Sequence, residues 1–174
     1  YPVIELAAIM VALWAWLAVP TEAFFASCTL GWTLLAFSAI DVRTRRLPDV
    51  LTAPLAAAGL VTAWLLNTDH LTDHFIGALC GYLSFFLVER AYRHWRKTDG
   101  LGRGDAKLLG AIGAWVGWSA LPSVVLLSAC GAIIFLLVRS RVEREPLTRA
   151  TVVAFGPFLS GAGWLVWVHG PPIL

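Results

Sequence analysis

Gly100-Leu101-Gly102-Arg103-Gly104-Asp105-Ala106-Lys107-Leu108-Leu109 runs a glycine-rich polar loop straight into an apolar stretch and sets a carboxylate at the junction. A carboxylate at a hydrocarbon edge is costly to keep there, so it marks a functional site whose partner is to be found. Upstream, Asp41-Val42-Arg43-Thr44-Arg45-Arg46-Leu47-Pro48-Asp49 repeats the arrangement, with Asp41 directly after the apolar run that ends at Ile40. Read alone, Gly-Arg-Gly-Asp is a turn followed by a helix-capping Asp, a residue favoured at that position. Read together, Asp41 and Asp105 form a pair.

Outward from these loops the chain is apolar. Of its 174 residues 59% are hydrophobic and only 14% charged, against about 25% charged in a soluble domain. Apolar runs cover roughly 3–20, 24–40, 50–67, 75–92, 106–120, 122–139 and 151–169. A single helix over 106–139 would be about 50 Å long, too much for a hydrocarbon core of about 30 Å, so two spans are expected there. The expected fold is an all-α polytopic membrane protein with about seven transmembrane helices, forming one transmembrane domain over residues 1–174. Gly77/Gly81, Gly110/Gly113/Gly117 and Gly156/Ser160/Gly163 are small-residue spacings that let helices approach closely. Pro54 predicts a kink in the third span, and Gly156-Pro157 a break or bend in the seventh.

The 13 basic residues fix a direction. All of them fall in three segments, 41–49, 89–107 and 139–149. The alternate loops hold Glu22, Asp69, His70, Asp73, His74 and His169 and no Lys or Arg. The positive-inside rule makes the three basic segments cytoplasmic, with Tyr1 inside and Leu174 outside. Asp41 and Asp105 then lie on one side at similar depth. No nucleic-acid partner is expected; the bilayer is.

Two carboxylates in one confined site do not both ionise readily, so near neutral pH they hold one proton between them. The ionised member can take a proton from water while the protonated member polarises a peptide carbonyl. This chemistry needs no metal and no nucleophilic side chain, and none is expected. Coupled groups titrate as a pair, so neither Asp has a fixed role at this point. Gly100, Gly102 and Gly104 permit positive φ and a close approach by an extended substrate. Asp49 reads as a cap or first-turn acid of the third span. Lys107 either neutralises nearby charge or snorkels to the interface. Glu89 pairs with Arg93 at i+4. Glu5 is a dipole-compensating acid or a polar contact within the bundle. His70 and His74 are expected in solvent on an external loop, and Cys28, Cys80 and Cys130 as small packing residues. With no CxxC, no thiolate zinc site is expected within these residues.

Ile40-Asp41-Val42-Arg43-Thr44-Arg45-Arg46-Leu47-Pro48-Asp49, followed by Leu51-Thr52-Ala53-Pro54-Leu55, resembles the first aspartate motif of the type IV prepilin peptidases. Gly100 to Ala111, running into Gly113-Ala114-Trp115, resembles their second, the G-x-G-D motif. Tyr1-Pro2-Val3-Ile4-Glu5-Leu6 and Ala154-Phe155-Gly156-Pro157-Phe158-Leu159 match the family pattern too, so the resemblance spans nearly the whole chain. It implies a G-x-G-D aspartyl protease of the bacterial inner membrane, with Asp41 and Asp105 as its catalytic pair facing the cytoplasm. The implied substrates are type IV prepilins or pseudopilins, cut after a glycine between basic leader and apolar helix. Gly102, Gly104, Pro48, Asp49 and Lys107 become substrate-binding candidates.

Bacterial members carry an upstream first helix and a cytoplasmic segment with two CxxC pairs, and they N-methylate the new terminus with S-adenosylmethionine. The chain opens on Tyr1, so that region is expected to belong to a longer parent protein, together with any methyltransferase activity. The competing reading is a proton- or cation-coupled transporter that uses the two Asp as a relay. A third is a non-catalytic membrane subunit of a pilus or secretion machine.

Overall fold

The computed structural model describes residues 2–44, 49–66, 68–96, 102–143 and 154–172. Among them are seven α-helices: α1 Pro2–Ala18, α2 Phe24–Thr44, α3 Asp49–Leu66, α4 Leu71–Arg96, α5 Arg103–Val116, α6 Leu121–Glu143 and α7 Gly156–His169. Short 3-10 turns at Thr21–Ala23 and Thr68–His70 lead into α2 and α4. Thr21–Thr44, Thr68–Trp95 and Leu121–Val142 are long and apolar enough to cross a membrane, and Val3–Ala18 and Val50–Leu66 are shorter apolar helices. The remaining two, α5 and α7, have 14 residues each, which is about 21 Å at the helical rise.

Large apolar side chains point outward along the longer helices. Phe75 and Ile134, for example, are 63% and 61% exposed. Such a surface suits lipid rather than water, since a water-facing protein rarely exposes a contiguous apolar patch of this extent. The chain is an all-α membrane protein.

The buried centre is α5, packed against α4, α3 and α7. Its Leu108, Leu109, Ile112 and Trp115 are almost wholly enclosed, together with Phe37 of α2 and Leu159 of α7. Trp115 donates its indole N–H to the Leu55 carbonyl of α3 at 2.8 Å and meets the Trp167 ring edge-on at 5.3 Å. On its other side α5 touches α4 backbone to backbone. A Cβ on Gly77 would collide with the Gly113 carbonyl, and one on Gly81 would stand 2.6 Å from the Leu109 carbonyl oxygen. The small-residue spacings of α4 and α5 are therefore one antiparallel crossing, as expected of helices that pack in lipid.

Spans five and six are separate helices. Gly117, at φ 77°, ends α5 with its N–H on the Gly113 carbonyl. The turn lies at 117–120, so Leu121-Pro122 opens α6 instead of forming the break. Gly156-Pro157 is where α7 begins, a break rather than a bend, because proline's fixed φ and missing N–H suit a first turn. Pro54 lies inside the third helix. Two other expectations are corrected. His74 lies in α4, not in a solvated loop: it is buried and donates Nδ1–H to the Ala114 carbonyl at 3.1 Å. Of the cysteines only Cys28 is a buried packing residue, while Cys80 and Cys130 are exposed. His70 is exposed as expected and pairs with Asp73. Glu89 and Arg93 form the expected ion pair, and Glu5 is exposed in the first turn of α1.

Candidate active site

Three helix ends meet around the two aspartates. Asp41 stands in the last turn of α2, and Asp105 is the third residue of α5. Both are buried, at 6% and 9% exposure. These are unusual values for acidic side chains, which are almost never enclosed unless paired. The third contribution comes from α7: its first amide, Gly156 N–H, donates to Asp41 Oδ2 at 2.9 Å.

Asp105 sits ahead of the apolar run that starts at Ala106. Its carboxyl is raised to about 7, first by burial and second by the nearby negative charge of Asp41, while a hydrogen bond from the Gly102 backbone works in the opposite direction. The two carboxyl groups thus act on each other electrostatically, as a pair sharing a confined site does.

The backbone around Asp105 is a helix start. Gly102 is the N-cap, extended at φ −70° and ψ 134°, and its carbonyl accepts the Asp105 N–H at 3.0 Å. Positive φ is therefore not what Gly102 supplies; among the described glycines only Gly117 and Gly170 have it. Gly102 is exposed and Gly104 already helical, so Gly102 offers open backbone beside Asp105 without a left-handed φ. Gly100 and Pro48 lie outside the described residues, as does the side chain of Asp49, although Asp49 itself begins α3.

Lys107 is half-buried and, with Gly110 and Ala111, floors a groove of about 390 Å³ walled by Thr52 and Ala53 of α3 and Tyr82 of α4. Two residues along a helix amount to about 200° of rotation, so Lys107 faces the side of α5 away from Asp105. Sequence reasoning missed the contact between Gly156 and Asp41. Its only local signal is a glycine placed immediately before a proline at the start of an apolar run.

The site lies at the basic end of the bundle. The α4–α5 crossing pairs Gly81 with Leu109 and Gly77 with Gly113, so the arginine-rich end of α4 lies beside the start of α5. Phe135, in the later half of α6, meets Phe158 of α7 with ring centroids 5.5 Å apart.

Comparison with known proteins gives a consistent answer. Residues 28–137 match the type IV leader peptidase family. The chain is 38% identical over 178 residues to a prepilin leader peptidase/N-methyltransferase of Aeromonas salmonicida, covering 99% of this chain and 59% of that protein. It is 43% identical to the protein of that name in Burkholderia pseudomallei, covering 99% and 55%. With the one in Pseudomonas aeruginosa the identity is 37%, covering 99% and 59%. The chain thus spans somewhat over half the length of these relatives. No solved structure matches it.

Proposed function

Because this chain belongs to the type IV leader peptidase family, we propose that it is the catalytic core of a membrane aspartyl endopeptidase acting on type IV prepilins or pseudopilins. The observation that carries the reading is the buried, electrostatically coupled pair of Asp41 and Asp105 at the basic end of the bundle. With one proton between them, one carboxylate activates a water molecule and the other carboxyl protonates the scissile carbonyl.

The basic end corresponds to the cytoplasmic face of a bacterial inner membrane. There a positively charged leader stays in water while the apolar helix behind it lies in the bilayer, with the cut after glycine at the boundary. Gly102 and Gly104 offer backbone to the extended stretch, and Pro48 and Asp49 contact the substrate around it, whereas Lys107, on the other side of α5, would meet it only where it passes into the groove beside Tyr82. Family membership favours this reading over a proton- or cation-coupled relay. Methyl transfer is assigned to the longer protein.

The test is cleavage of a co-expressed prepilin by the full-length protein, read by N-terminal sequencing of the product. Asp41→Asn and Asp105→Asn are each expected to abolish leader removal while membrane insertion persists. Undiminished cleavage by either variant removes that Asp from the mechanism.

A further inference from the structure

Two carboxylates sharing one proton need something to decide which of them carries the charge, and α7 supplies it. Gly156 N–H belongs to the first turn of a helix, where no preceding turn offers an acceptor, and here the acceptor is Asp41 Oδ2. A helix N-terminus also favours negative charge at that point. Pro157 follows and holds the start of α7 in place. On the other side of the pair Asp105 receives a bond from the Gly102 backbone, but Gly102 is exposed whereas Gly156 is buried.

Spacing also demands a glycine. A Cβ at 156 would stand 2.6 Å from Asp41 Oδ2 and 3.0 Å from its Cγ, closer than real side chains come. The Gly156 φ is not left-handed, so it is room beside the carboxylate, not backbone freedom, that excludes a side chain.

We propose that Gly156 is a positioning residue of the catalytic pair: its amide holds Asp41 as the anionic base and leaves the shared proton on Asp105. This rests on reading the two aspartates as the protease pair, and it resolves their roles. A water oxygen attacks the scissile carbonyl carbon as one of its protons passes to Asp41, and the Asp105 proton passes to the carbonyl oxygen. In the collapse Asp41 returns its proton to the amide nitrogen as the C–N bond breaks. One hydroxyl of the gem-diol gives its proton back to Asp105 as the new carboxyl group forms. The raised carboxyl of Asp105 agrees with that division.

The experiment compares full-length wild type, Gly156→Ala and Pro157→Ala on a purified prepilin, with thermal unfolding in detergent as a fold control. Gly156→Ala is expected to lower kcat at least about tenfold with KM within about twofold, the pattern of a misplaced catalytic group. Pro157→Ala keeps the amide and the spacing and should lose less. A second measurement needs no variant at 156. The ¹⁵N-labelled Gly156 amide resonance of the wild type should move as the aspartate pair ionises, and Asp41→Ala should abolish that movement. Wild-type kcat in folded Gly156→Ala, or a resonance indifferent to both changes, overturns the proposal. The resonance reads Asp41 directly, so failure of the wild type to cut prepilin would count against the peptidase reading alone.

Discussion

Asp105 carries a stability signature that can be measured apart from catalysis. Its carboxyl lies at about 7 in the folded chain, against an ordinary 3.8. The folded state therefore binds this proton more tightly than the unfolded one. Its contribution to stability is fully present below the unfolded value and is lost as pH rises through the folded value. Asn cannot ionise, so Asp105→Asn should gain about 2 kcal/mol on the wild type between about pH 5 and about pH 8.5. Differential scanning fluorimetry in detergent at the two pH values reads this as a rise of several degrees in relative Tm; an equal difference at both would contradict the raised carboxyl. The position of both aspartates was legible in the sequence because charge is rare next to apolar runs. Their hydrogen bonding was not: Gly156 and Asp41 are 115 residues apart, and no local pattern records which helix end will face which carboxylate.

At the scale of elements, seven helices were readable because each apolar run is long and bounded by charge or turn residues. Helix ends were less so. Gly156-Pro157 reads equally as a break or a bend, and in the structure it is the start of α7, with the Gly156 amide on Asp41. His74 reads as a loop residue because Asp69, His70 and Asp73 surround it, yet α4 begins at Leu71 and turns the ring onto α5. The glycine crossing makes a sharp prediction. Gly113→Val should separate α4 from α5 and destabilise the fold by about 1–3 kcal/mol or more, the usual cost of overpacking. Trp115→Phe keeps most of the ring but removes the indole donor; the Leu55 carbonyl, inside α3, keeps its helical partner, so the loss is that of one hydrogen bond, about 0.5–1.5 kcal/mol. Both are checked by thermal unfolding in detergent; an unchanged midpoint for either would mean that the contact carries no stability.

For the whole molecule the charge distribution sets the expectation. Arg141→Cys, on a background with Cys28, Cys80 and Cys130 replaced by Ala, should react with a membrane-impermeant maleimide only after the membrane is opened. Asp69→Cys, at the other end of the bundle, should react in intact spheroplasts. The reverse pattern would turn the protein over and place the aspartates outside. The anchoring of α5 has a mechanical consequence. Its backbone contacts with α4 at Leu109 and Gly113 and its Trp115 bond to α3 clamp it from one turn beyond Asp105 onward, so only about 6 Å of helix projects past the clamp. A rocking of about 4° about Leu109 moves Asp105 by less than about 0.5 Å. The carboxyl of Asp105 is therefore carried on a short, stiff cantilever.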